Sequence, residues 1–140
     1  MAPRALLLVE DNPDDVFIMR RALQKAALDL PLFLASDGRE AVDYLQGNGQ
    51  FADRSQYPLP SLVLLDLKLP YLSGFEVLKI IREHSGLTDL DVIILTSSGE
   101  ERDQKRAQEL GVRGYLIKPP KPDMLREAVA PLLQPETTGA

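Results

Sequence analysis

Short apolar runs and longer segments of helical periodicity take turns along the chain. The runs are ALLLV (residues 5–9), LFLA (32–35), LVLL (62–65), VIIL (92–95) and GYLI (114–117). Four of them are nearly continuous rather than alternating, which predicts strands covered on both faces, as in a parallel sheet. Between them, Val16, Met19, Leu23 and Ala26 recur at helical spacing, with Phe17 and Ile18 blurring the face, and Phe75, Leu78 and Ile81 repeat the step. Met124, Leu125, Ala128, Val129, Leu132 and Leu133 form a broad apolar stripe near the C-terminus. Residues 100–110 offer only Ala107 and Leu110, so a helix there is expected to be thinly anchored and able to shift.

Five strand-helix units joined by short links predict right-handed crossovers and an α/β, doubly wound sheet. The long polar link at residues 46–60, QGNGQFADRSQYPLP, predicts a loop whose length points to a contact surface. The final QPETTGA predicts a frayed tail.

Composition narrows the function. The 140 residues fit one domain, and 44% hydrophobic with 26% charged residues is enough to bury a core. A formal net charge of −5 disfavours an electrostatic grip on nucleic acid or anionic lipid. Protein partners and small cations remain. With no cysteine, disulfides and thiolate chemistry are excluded. The N-terminal apolar run is too short for a signal peptide or a membrane span, so the expected location is cytoplasmic. A single histidine, His84, cannot build a His-rich metal site and is expected as a solvated cation at a helix end.

In an open parallel sheet, ligands bind where the carboxyl ends of the strands meet the following loops. The residues just past the runs are Glu10 and Asp11, then Asp66, Thr96 and Lys118. Three acids, a hydroxyl and an ammonium therefore share one edge. Clustered carboxylates repel unless a cation sits among them, and Mg²⁺, which prefers oxygen ligands and phosphate, suits the set. A carboxylate is already ionised at neutral pH and needs no general base, so an aspartyl phosphate at Asp66 is a natural product. Lys118, the Thr96 hydroxyl and Mg²⁺ are the right types to neutralise a transferring phosphoryl group.

Glu10-Asp11, Asp66 followed by Pro70 and Gly74, Thr96 closing VIIL, and Lys118-Pro119 closing GYLI together resemble the receiver domain of two-component response regulators. The resemblance runs over nearly the whole chain. It implies a flavodoxin-like (βα)5 fold with a five-stranded parallel sheet in the order 2-1-3-4-5, a receiver domain at residues 1–134 and a tail at 135–140. It also implies that Asp66 takes a phosphoryl group from a sensor histidine kinase. Glu10, Asp11, Asp66 and the backbone carbonyl of Lys68 would hold Mg²⁺, and Thr96 and Lys118 would hold the phosphoryl oxygens. Tyr115 matches the family's switch aromatic, moving with Thr96, and Lys118-Pro119 matches its cis peptide.

The loop at 46–60, DGREA (37–41) and LTSSGEERD (95–103) further resemble single-domain regulators that partner bacterial phytochromes. Output by contact follows, either with a downstream protein or by relay to a histidine phosphotransfer protein. A homodimer through the face of the fourth helix, fifth strand and fifth helix also belongs to that resemblance. No enzymatic activity beyond its own phosphorylation and dephosphorylation is expected.

Simpler structural roles account for some neighbours. Asn12-Pro13-Asp14-Asp15 reads as a helix start, with Asp14 and Asp15 favoured by the dipole. Ser98-x-x-Glu101 reads as a capping box rather than a phosphate ligand. Tyr115 fits a half-buried strand aromatic as well as a switch. The long stem of Lys68 is expected to lie across the phosphoryl group and slow attacking water. Lys68→Ala should then shorten the phosphoprotein's lifetime, and an unchanged decay in a phosphate-release assay would reject this. Ser97, a small residue after Thr96, keeps access for phosphate. Two rivals share parts of the pattern. A flavodoxin would need amides where Glu10-Asp11 would repel phosphate. A Mg²⁺-dependent aspartyl phosphohydrolase would need a second acid where Lys68 stands.

Overall fold

The computed structural model describes residues 5–28 and 30–133; the side chains of Leu132 and Leu133 and the expected C-terminal tail lie outside that description. The strands are β1 (Leu6–Val9), β2 (Leu32–Ala35), β3 (Leu62–Leu65), β4 (Asp91–Thr96) and β5 (Gly114–Ile117). They alternate with helices α1 (Pro13–Lys25), α2 (Gly38–Gln46), α3 (Gly74–Glu83), α4 (Glu101–Glu109) and α5 (Pro122–Leu133). All strand pairs are parallel and the order is β2-β1-β3-β4-β5, which is the expected flavodoxin-like sheet.

The continuous apolar runs are divided residue by residue between two cores, because successive side chains on a strand point to opposite faces. Leu7, Val9, Val63, Leu65, Val92 and Ile94 pack with Tyr44, Phe75, Leu78 and Ile81 on the side of α2 and α3. Leu6, Leu8, Leu62, Leu64, Ile93 and Leu95 pack with Met19, Leu23, Leu125 and Val129 on the side of α1 and α5. The expectation of two-sided cover holds for β1, β3 and β4 but fails at the sheet edges. There, Leu34 of β2 and Ile117 of β5 are exposed, because an edge strand has a neighbour on one side only. Phe17, Ile18 and Met124 also point outward, which resolves the blurred face of α1 and narrows the stripe of α5.

Residues 47–60 form the expected loop, and it is an ordered one. The segment turns through a left-handed Gly47 into a 3-10 turn, Gly49–Ala52, that buries Phe51. The Tyr44 ring lies 5.1 Å from Phe51, 5.9 Å from Tyr57 and 6.0 Å from Phe33. Arg54 donates to the carbonyls of Tyr44 (2.8 Å), Leu45 (2.8 Å) and Tyr57 (3.1 Å), closing the end of α2. Composition marked the turn residues, but the three aromatic anchors carry the packing. DGREA likewise starts a helix, with Asp37 accepting from the Glu40 amide at 2.7 Å.

Candidate functional site

The strands of the sheet end at the same edge, and the expected residues arrive there together. Glu10 and Asp66 are 2% and 6% exposed, and Thr96, the last residue of β4 rather than the one past it, is fully buried. Asp11 is exposed at the rim. One carboxylate oxygen from each of Glu10, Asp11 and Asp66 lies within 4.8 Å of the others. Gly74 makes this packing possible, since a Cβ there would stand 2.2 Å from the Asp66 carbonyl oxygen and 2.6 Å from the Leu67 Cα. The start of α3 can therefore close against the strand end that carries Asp66. Its cap is a full capping box between Ser73 and Glu76, which the sequence reading overlooked although the S-x-x-E spacing is present.

Lys118 comes in from β5 and is 13% exposed at its side chain. The Lys118-Pro119 peptide is cis, as the resemblance implied. The Lys118 ammonium donates to Glu10, to Asp66 Oδ2 at 2.8 Å and to Asp15 Oδ2 at 2.9 Å. Burial alone would lower the lysine pKa, but bonds to Asp66, Glu10 and Asp15 reverse this and hold it well above the ordinary range. Glu10 moves upward, chiefly by burial, against the pull of Lys118 and of the Asn12 amide that donates to its Oε2 at 3.2 Å. The Lys68 amide donates to Asp66 Oδ1 at 3.1 Å, while the Lys68 side chain stands exposed.

Asp15 extends the sequence reading. It stands in the first turn of α1, as expected of a dipole-favoured acid, and also pairs with Lys118, a role not read from the sequence; Asp14 remains exposed in the expected role. The signal was weak because only the fold brings residue 15 within reach of residue 118. Ser98 is a correction. The predicted box with Glu101 does not form, since α4 is capped by Glu100 without a side-chain bond. Ser98 Oγ instead donates to Asp103 Oδ2 at 2.7 Å. Tyr115 is half-buried and donates through its hydroxyl to the Ser98 carbonyl at 2.8 Å. His84 ends α3 in the exposed position expected of it. Ser97 lines a cavity of about 280 Å³ beside Asp15, Ile18, Leu95, Lys118 and Pro119.

Three carboxylates, Glu10, Asp15 and Asp66, thus share the Lys118 ammonium, and a fourth, Asp11, lies beside Glu10 and Asp66, leaving an excess of negative charge inside the rim on which the Lys68 side chain stands exposed. An all-oxygen donor set of that kind fits a hard divalent cation such as Mg²⁺. The phosphohydrolase rival finds no acid at Lys68, and the flavodoxin rival finds anionic groups where phosphate would have to sit.

Residues 6–130 match the response regulator receiver domain family, and the chain belongs to it. Among its relatives, Response regulator Rcp1 of Synechocystis sp. is 37% identical over 116 residues, spanning 83% of this chain and 77% of its own length. The Mn²⁺-bound structure of Rcp1 superposes with a TM-score of 0.76 at 35% identity, covering 90% of this chain and 89% of that one. The bacteriophytochrome response regulator AtBRR superposes with a TM-score of 0.83 at 41% identity, covering 94% of each chain. The phosphorylated cyanobacterial phytochrome response regulator RcpA gives 0.77 at 32% identity, covering 90% of this chain and 88% of that one.

Proposed function

We propose that this receiver domain accepts a phosphoryl group on Asp66 from a phosphohistidine of a sensor kinase, with a bacterial phytochrome as the kinase class. The observation that carries the reading is the buried Asp66 carboxylate held between the Lys68 amide and the Lys118 ammonium, beside two further acids. Likeness to AtBRR and RcpA supports the phytochrome partnership.

In the transfer, an Asp66 carboxylate oxygen forms a bond to phosphorus, the P–N bond breaks, and its electron pair returns to the kinase imidazole. Glu10, Asp11, Asp66 and the Lys68 carbonyl would hold Mg²⁺, which supplies charge neutralisation to the phosphoryl oxygens when bound. Lys118 would stabilise the same developing charge, and Thr96 would offer a hydroxyl once its side chain turns toward the phosphoryl group. Tyr115 sits on the carbonyl of Ser98, two residues beyond Thr96, so a displacement of Thr96 reaches the face of α4 and β5. Signalling then occurs by altered contact with a downstream protein or with a second copy through that face.

Incubation with acetyl phosphate and Mg²⁺ tests the reading by intact mass. Wild type should gain one phosphoryl group and Asp66→Asn none. Equal labelling of both would reject Asp66 as the acceptor.

A further inference from the structure

Asp15 occupies the third position of α1, where an acid usually reaches back to the free amide of the cap residue. Here that amide, on Asn12, is already taken by Glu10 Oε2 at 3.2 Å. The Asp15 carboxylate is left free of the helix and turns to Lys118, 103 residues away in the chain, at 2.9 Å. It is one-third exposed, at the edge of the cavity that Ile18, Leu95 and Pro119 line with apolar surface. A lysine ammonium has three N–H donors, and here they meet three carboxylates, Glu10, Asp15 and Asp66.

Two of those three carboxylates belong to the cation and phosphoryl chemistry. Glu10 and Asp66 must share their oxygens with Mg²⁺, and Asp66 loses its charge on that oxygen when it is esterified. Asp15 alone of the three has neither task. We infer that Asp15 is a positioning residue for phosphoryl recognition: it keeps the Lys118 ammonium in place, so that the donor released by Asp66 meets a phosphoryl oxygen without reorganisation. This rests on the phosphoacceptor reading above and adds a residue to it.

The two ways in which Asp15 could affect an anion have opposite signs. A carboxylate acting only through its charge repels a phosphoryl group, so its removal would strengthen anion binding. A carboxylate acting through Lys118 strengthens anion binding, so its removal would weaken it. Beryllofluoride, a phosphoryl stand-in, is titrated by ¹⁹F NMR at a Mg²⁺ concentration high enough that a further increase changes nothing. Asp15→Asn should bind it about tenfold more weakly than wild type, the scale of one charge-assisted hydrogen bond at a partly exposed site. Asp14→Asn, which makes the same charge change on an exposed neighbour without a lysine contact, should stay within about twofold of wild type. Asp15→Glu should recover most of the loss.

Equal or tighter binding by Asp15→Asn would overturn the proposal, as would a loss that Asp15→Glu shares in full. Failure of wild type itself to bind beryllofluoride would instead remove the phosphoacceptor reading, and this inference with it.

Discussion

Helix α2 with the turn that follows it and helix α4 with the loop that precedes it both lie on the same side of the sheet, and they are fastened in opposite ways. The α2 region is nailed down by rings. Tyr44 is fully buried, touches three other aromatic residues, and donates through its hydroxyl to the Pro58 carbonyl at 2.9 Å, while Arg54 closes the helix end. Of the described α4 residues, only Ala107 is buried. The rest of its hold is polar or peripheral. Ser98 bonds Asp103 at its start, and Arg106 stacks 4.3 Å from the Phe75 ring centroid. At its end Arg82 reaches across from α3 to the Leu110 and Gly111 carbonyls at 2.7 and 3.0 Å.

Directional polar bonds can exchange partners with little net change, whereas extracted aromatic rings lose contacts that nothing replaces. The receiver therefore concentrates its stability on one flank and leaves the other free to rearrange, as the proposed switch through Thr96 and Tyr115 requires.

The largest expected effect comes from attacking the fixed flank. Tyr44→Ala should destabilise the protein by ~3–5 kcal/mol, read from urea unfolding, because it removes a buried ring and leaves a cavity among Phe33, Phe51 and Tyr57. A loss below about 1 kcal/mol would mean that the aromatic cluster is not the anchor.

The same residue gives the flank a pH dependence. Burial pushes the Tyr44 phenol up from 10.0 to about 12, so the folded state holds that proton more tightly than the unfolded chain. The resulting stability is complete below pH 10.0 and is lost as pH rises through about 12. Tyr44→Phe should flatten the fall in urea midpoint across that window, and an equally steep fall would place the alkaline loss on another group.

The smallest stability effect is expected at α4. Ser98→Ala should cost less than about 1 kcal/mol of global stability, since it removes an exchangeable bond to Asp103 and a long one from the Glu100 amide. It should nevertheless speed hydrogen exchange of the first-turn amides of α4 while leaving α2 unchanged. Equal acceleration on both helices would erase the contrast between the flanks.

Much of the architecture was legible because it rests on local rules. Periodicities of two and 3.6 residues mark strands and helices wherever a face is buried, and the polar residue that ends each apolar run sits by necessity at the shared edge of a parallel sheet. That logic brings Glu10, Asp11, Asp66, Thr96 and Lys118 together from the sequence, and it also marks the thin anchorage of residues 100–110. The aromatic clamp at 46–60 was hidden because Phe51 and Tyr57 are spaced irregularly among turn residues, and irregular spacing carries no periodic signal.

Long-range electrostatics was equally invisible. Asp15 and Ser98 both obey capping patterns that depend on their neighbours, yet Asp15 found Lys118, 103 residues away, which only the assembled chain supplies, while Ser98 found Asp103, five residues on, because of where α4 begins. Local chemistry states what a side chain is able to bond. Which bond forms is settled by the competition among all groups that packing brings within about 3 Å, and that competition exists only in three dimensions.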